Sequence, residues 1–143
     1  MAVTFGLVVI ALSLLAWGGQ AISWFSPRTA ERLALTEAED SVEPAFYADI
    51  RAEALWDTLT LWVTIVAGIL LVAGSSAWSY FGLAGGGMYV YFAGRGVLAR
   101  RAMQRRGLRI GSAQNLKTAY RFLTVWGVMG LATTIVAAVE LAS

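Results

Sequence analysis

The chain has 143 residues, of which 58% are hydrophobic and 14% are charged, whereas a typical soluble domain carries roughly 25% charged residues. A single domain of this size cannot bury so much apolar surface within itself, so much of that surface must face lipid. The composition therefore argues against an ordinary soluble enzyme, a disordered chain and a nucleic-acid-binding domain.

Four apolar segments are long enough to cross a membrane. Residues 1–25 carry no charge and can cross a hydrocarbon core of ~30 Å. The first basic residue is Arg28, which argues against a cleavable signal peptide. Residues 58–94 also lack charge but exceed one span, and Gly74-Ser75-Ser76 divides them. The last apolar run covers residues 122–139. We predict spans at about 3–25, 56–73, 77–98 and 120–140, joined on one side by segments 26–55 and 99–118.

The positive charges predict the orientation. All 11 Lys and Arg residues fall in or beside the two long connecting segments, and with four spans these segments share one side. The positive-inside rule places that side in the cytoplasm. We therefore predict an all-α integral membrane protein with a single domain over residues 1–143. It is an up-down-up-down bundle of four transmembrane helices in the cell (inner) membrane. Both termini lie outside the cytoplasm, and a helical cytoplasmic loop joins the first two spans.

Local signals predict where the helices of the connecting segments begin and end. A favoured N-cap residue or a proline at the first helical position predicts helix starts at Ser26-Pro27, Pro44 and Ser112. The first of these helices is expected to run through Leu35, and Thr36-Glu37-Ala38-Glu39 has the spacing of a capping box. The helix from Pro44 should continue directly into the second span. Gly107 suits the C-terminal end of a helix that extends the third span.

Three acidic residues form a stripe before the second span. Asp49, Glu53 and Asp57 are four residues apart and so lie on one helix face, where like charges repel by a few tenths of a kcal/mol per pair. One hypothesis is a divalent cation site. The favoured interpretation is a solvated face or ion pairs with the arginine-rich segment, because on a straight helix the three carboxylates span ~12 Å.

An arginine-rich segment extends the third span into the cytoplasm. Juxtamembrane basic clusters attract anionic lipid by ~1 kcal/mol per charge, so an anionic lipid or an acidic protein partner is one hypothesis. The alternative is that these charges fix the topology and pair with the acidic stripe. No nucleic-acid-binding fold accompanies the charge, so we expect no nucleic-acid partner. The candidate contact residues are Arg100, Arg101, Arg105, Arg106 and Arg109.

Glycines cluster in the third predicted span. Gly82 and Gly86 have the spacing that lets two helices approach closely, and Gly85, Gly87 and Tyr89 lie beside them. Tight packing within the bundle is the favoured interpretation. The alternative is a bend that lines a small-molecule cavity, because successive glycines lower helix propensity by ~1 kcal/mol each.

The residue types that are absent limit the function. The chain contains no cysteine and no histidine, so it lacks the usual nucleophile, general base and soft metal ligands. We therefore expect no catalysis, cofactor or metal. The predicted function is a non-catalytic membrane protein that acts as an interaction, accessory or assembly subunit, with a protein partner or with further copies of itself.

The sequence is also compatible with two other functions. The first is a channel or carrier for a small neutral solute, with the third span lining the path. The second is a lipid-modifying membrane enzyme that uses the acidic stripe. No ionisable residue lies in the middle of a predicted span, which weighs against a proton-coupled transporter.

Overall fold

The computed structural model describes residues 1–143, and every regular element is helical. Six α-helices follow one another, with a single 3₁₀ turn at Glu39–Ser41 between the second and the third. Their bounds are α1 (Ala2–Phe25), α2 (Pro27–Arg32), α3 (Pro44–Thr60), α4 (Trp62–Val72), α5 (Trp78–Arg105) and α6 (Ala113–Leu141).

Three long helices are apolar enough to cross a membrane. They are α1, the nearly continuous rod Pro44–Val72 that α3 and α4 form, and α6. The predicted all-helical membrane protein is confirmed at this level. The fourth long helix, α5, has 28 residues but does not belong to this set, because glycines, tyrosines and arginines interrupt its apolar residues.

Residues further along α5 contact residues that come earlier in α6. Near the start of α5, a Cβ added at Gly82 would lie 3.1 Å from the Cβ of Ala137. Further along, a Cβ added at Gly127 of α6 would lie 3.0 Å from the Cβ of Ala93. Near the end of α5, Gly96 packs against Leu123. The two helices are therefore antiparallel neighbours, and glycines allow their backbones to approach closely.

The helix α1 packs along the rod that α3 and α4 form. Gly6 and Gly68 face each other, and a Cβ added at Gly68 would lie 3.1 Å from the carbonyl oxygen of Gly6. Two indole N–H groups reinforce the packing of α1. Trp17 donates to the carbonyl oxygen of Thr58 at 2.9 Å, and Trp126 of α6 donates to that of Leu12 at 2.9 Å. These bonds give the amphipathic tryptophans polar partners within apolar surroundings.

The core is small, and the outer surface is strongly apolar. Only 30 of the 143 residues are buried. The main core cluster joins the long helices through Val9, Ala16, Leu61, Tyr89, Phe92, Leu123 and Met129. Many large apolar side chains point outward instead, as expected of helices surrounded by lipid rather than water. Examples from three helices are Leu7, Leu14, Leu15, Ile69, Val128, Leu131, Ile135 and Val139.

Most of the predicted helix ends are confirmed. Pro27 and Pro44 are the first residues of their helices. The hydroxyl of Ser112 accepts a hydrogen bond from the backbone N–H of Asn115 at 3.1 Å, which is the capping bond expected of serine at this position. Gly107 has a φ of +74° directly after α5, a conformation that glycine adopts without strain.

Two local predictions are wrong. The helix α2 ends at Arg32 rather than at Leu35. The predicted capping box does not start an α-helix, and only the short 3₁₀ turn follows it. Instead, Glu37 accepts a hydrogen bond from the side chain of Asn115 at 2.9 Å. A carboxylate is favourable there because the first turn of a helix carries partial positive charge. Glu39, the acidic residue of the predicted capping box, lies in the 3₁₀ turn instead.

The helix from Pro44 enters the second span with one interruption, at Leu61. Here α3 ends and α4 begins. The backbone N–H of Thr64 bonds to the carbonyl of Leu61, three residues back, at 3.3 Å. The indole N–H of Trp62 donates to the carbonyl oxygen of Leu59 at 2.8 Å. The regular ladder of the α-helix is therefore broken for about one turn.

Candidate functional site

A layer of ion pairs joins α3 to α5. Arg95 of α5 contacts Asp49 and lies 3.2 Å from Glu53 of α3. Arg100, one turn further along α5, lies 4.0 Å from the other carboxylate oxygen of Glu53. Two of the three carboxylates of the acidic stripe therefore form the ion pairs with α5 that one interpretation of the sequence describes.

Glu53 is the centre of this layer. Its side chain is only 8% exposed, whereas that of Arg95 is 32% exposed. A buried charge is tolerated when it is paired and hydrogen-bonded. Two guanidinium groups supply the pairing, although no hydrogen bond reaches the Oε1 atom of Glu53. Arg100 is also turned inward, because it donates to the carbonyl oxygen of Gly96 at 3.1 Å and lies over the ring of Phe46. Arg100 thus differs from the freely exposed arginines that follow it.

The third carboxylate of the stripe has no partner. Asp57 is 5% exposed, and no hydrogen bond reaches its Oδ2 atom. It takes part in none of the ion pairs of the chain. Asp57 lines a cleft of about 260 Å³ between the rod Pro44–Val72 and α5, whose other lining residues include Trp56, Gly87 and Tyr91. The three carboxylates therefore share a helix face but not an environment.

The three carboxylates of the stripe do not converge on one point. No group of three or more acidic, histidine or cysteine side chains converges as metal ligands would. Asp49 and Glu53 are engaged with arginine, and Asp57 lies one turn further along the helix. The divalent cation hypothesis therefore has no converging ligand set to support it.

An arginine that the sequence analysis did not single out holds the end of α1. The guanidinium group of Arg51 donates to the carbonyl oxygens of Ser23 and Trp24, the latter at 2.9 Å, and lies 4.8 Å from the ring centre of Trp24. The last carbonyls of a helix carry partial negative charge and lack helical partners. Arg51 is one of the cations before the second span, but nothing in its spacing points to this role.

The remaining arginines of the basic segment lie on the surface. Arg101, Arg105 and Arg106 are exposed, and Arg109 lies 3.5 Å from Glu43. Beside them an open groove of about 1320 Å³ runs between the end of α5 and the start of α6. Its polar and charged lining includes Glu37, Gln104, Arg109, Lys117, Tyr120 and Arg121.

The glycines of α5 divide into buried and open positions. A Cβ at Gly85 would lie 2.9 Å from the Cα of Thr64, and one at Gly86 would lie 2.7 Å from the carbonyl oxygen of Gly130. Gly82 is packed against Trp78 in the same way. At Gly87, by contrast, no atom lies within 4 Å of an added Cβ. The helix continues through all of these glycines without a break.

The tyrosines of α5 also include buried and exposed positions. Tyr89 is 0% exposed, and its hydroxyl donates to the carbonyl oxygen of Ser13 at 3.2 Å. Tyr80 and Tyr91 are exposed on the outside of the helix. Among the positions that would line a path in the channel hypothesis, Tyr89 and the buried glycines are packed, whereas Gly87 and Tyr91 line an open cleft.

The comparisons with known proteins give no relative. The chain matches no protein-family model, no curated protein and no solved structure.

Proposed function

We propose that this chain is a non-catalytic integral membrane protein that assembles with another membrane-spanning helix through the outside of α5. In this proposal α5 is the fourth span of an up-down-up-down bundle. Both basic segments lie in the cytoplasm and both termini lie outside it. The contacted helix belongs either to a second copy of the chain or to another membrane protein, and the experiment below separates these two cases.

The position of α5 supports its role as a span. It lies antiparallel to α6 over most of its length and also packs against α4, where Gly85 meets Thr64. A helix held between two membrane-capable helices shares their environment. Four spans would also bring all 11 Lys and Arg residues to one side, as the positive-inside rule requires.

The outside of α5 is the observation that carries the proposal. Most exposed positions of α6 over residues 122–139 are large and apolar, whereas the exposed stripe along α5 contains two glycines and a tyrosine. We call this stripe the outer face of α5; its residues are Tyr80, Leu83, Gly87, Val90, Gly94 and Leu98. At both Gly87 and Gly94 an added Cβ would meet nothing within 4 Å. Small residues gain little from lipid contact but allow a second helix to approach closely.

The packed interior favours assembly over the two other functions. Tyr89 and the buried glycines of α5 leave no open path along that helix. Asp49 and Glu53, which a lipid-modifying enzyme would need as free carboxylates, are bound to arginine. These contacts are typical of a structural scaffold.

Disulfide crosslinking tests the proposal, because the chain contains no cysteine of its own. We expect Gly94→Cys to form an oxidation-dependent disulfide dimer in native membranes if the partner is a second copy. If the partner is another protein, a short thiol-reactive crosslinker at Gly94→Cys should give one defined heavier band.

Val128→Cys provides the matched control. Val128 is exposed on α6, and it lies at nearly the same depth as Gly94 because its neighbour Gly127 packs against Ala93. The proposal requires Val128→Cys to remain uncrosslinked. Equal crosslinking at both positions, or none at Gly94→Cys in membranes, would contradict it.

A further inference from the structure

We propose that the cleft at Asp57 binds the primary ammonium group of an amine-bearing phospholipid from the leaflet next to the ion-pair layer. The occupant donates hydrogen bonds to the Asp57 carboxylate, between Trp56 and Tyr91. This inference goes beyond the assembly role. The cleft lies between the rod Pro44–Val72 and α5 within one chain, and Gly87 belongs both to its lining and to the outer face of α5.

The acidic stripe has one more negative group than the arginines that face it have positive groups. Asp49, Glu53 and Asp57 supply three carboxylates, and Arg95 and Arg100 supply two guanidinium groups. Arg95 contacts Asp49 and Glu53, and Arg100 contacts Glu53. Asp57 takes part in no ion pair, and its Oδ2 accepts no hydrogen bond. Keeping an unpaired buried carboxylate ionised costs several kcal/mol, and a bound cation lowers that cost.

The shape of the cleft limits the size of the cation. About 260 Å³ is below the ~300–1,000 Å³ typical of pockets for drug-sized molecules, but it suits a headgroup amine. Gly87 leaves the entrance open, because no atom lies within 4 Å of an added Cβ. Trp56 and Tyr91 are exposed beside it, and aromatic rings attract cations through their electron-rich faces.

Hydrogen bonding favours a primary ammonium over a quaternary one. The Asp57 oxygen needs a donor, and –NH₃⁺ offers three N–H groups, whereas a trimethylammonium group offers none. Asp57 lies near the start of the second predicted span, toward the leaflet next to the ion-pair layer. A free amine such as ethanolamine has the same chemistry, so the test includes it.

The test is competitive lipid binding by the whole chain. Protein in mild detergent is offered phosphatidylethanolamine, phosphatidylcholine and phosphatidylglycerol with identical acyl chains, and bound lipid is counted by native mass spectrometry. We expect wild-type protein to retain phosphatidylethanolamine over phosphatidylcholine by at least about tenfold, as a charged hydrogen bond implies. Asp57→Asn should abolish this preference while keeping the shape of the side chain.

Two glycine variants test whether the cleft, rather than α5 as a whole, determines the lipid preference. Gly87→Leu should block the entrance and lose the preference although Asp57 is intact. Gly94→Leu, at the other open glycine of α5, should keep it. Displacement of the lipid by an equal concentration of free ethanolamine would overturn the lipid assignment. Equal retention of the three lipids by wild-type protein, or an unchanged preference in Asp57→Asn, would overturn the ammonium site.

Asp57→Asn separates the two proposals, because Gly87 belongs to both the cleft and the outer face of α5 whereas Asp57 belongs only to the cleft. Asp57→Asn leaves the outer face of α5 untouched, so crosslinking at Gly94→Cys should persist in the combined variant. Loss of the lipid preference with retained crosslinking is the expected result. Loss of both would show that Asp57 is needed for the fold and would overturn the assignment of a separate cleft.

Discussion

At the scale of single residues, burial distinguishes carboxylates that look alike in the sequence. Glu53 is nearly inaccessible, yet two arginines from α5 neutralise it. Such a pair need not stabilise the fold more than apolar residues would, but removing Glu53 leaves two partly buried arginines without this partner. Glu53 therefore has a larger effect on stability than an exposed acidic residue.

We expect Glu53→Gln to lower the free energy of unfolding by about 2 kcal/mol. Breaking a fully buried pair costs roughly 3–5 kcal/mol, and the partial exposure of Arg95 reduces that figure. Thermal unfolding followed by circular dichroism in one detergent measures the effect. Glu39→Gln, at an exposed position in the 3₁₀ turn, is the control and should leave the unfolding temperature unchanged. Equal effects of the two substitutions would show that the ion pairs between α3 and α5 contribute nothing to the free energy of unfolding.

At the scale of elements, two adjacent glycines of α5 have opposite surroundings. Gly86 meets the backbone of α6 at Gly130 and Thr134, whereas Gly87 faces open space. The intrinsic gain in helix propensity from Gly to Ala is the same at both sites, at ~1 kcal/mol. Any difference between the two alanine variants therefore reports the packing of α5 against α6.

We expect Gly86→Ala to destabilise the protein by about 1–2 kcal/mol, because overpacking costs roughly 1–3 kcal/mol and exceeds the gain in propensity. Gly87→Ala should be neutral or stabilising by up to about 1 kcal/mol. Chemical or thermal unfolding in the same detergent compares the two. If Gly86→Ala proved as stable as Gly87→Ala, the close approach of α5 and α6 would be incorrect.

The sequence predicts where a helix begins or ends when the residue responsible acts within its own helical turn. Pro44 and Ser112 start helices and Gly107 follows one because a proline ring, a hydroxyl and a missing Cβ act within one helical turn. The spacing of Asp49, Glu53 and Asp57 predicts a shared face but not which carboxylate is buried, because that depends on where α5 packs. The role of Arg51 at the end of α1 and the break at Leu61 also arise from tertiary contacts.

At the scale of the whole molecule, the distribution of polar groups explains the architecture. A small packed core holds the helices together, a wide apolar surface faces outward, and the ion pairs gather between α3 and α5. The helix α5 is the least apolar of the long helices, and its outer face carries the open glycines. Whether this helix crosses the membrane determines the sidedness of everything after residue 78.

The most direct test is the accessibility of single cysteines to a membrane-impermeant maleimide, in intact cells and in opened ones. Ser41, Ser76 and Gln114 are exposed positions before α3, between α4 and α5, and before α6. With α5 as a span, Ser76→Cys should label from outside intact cells, and Ser41→Cys and Gln114→Cys should label only after opening. Labelling of Ser76→Cys and Gln114→Cys from the same side would mean that α5 does not cross, and would contradict the four-span account.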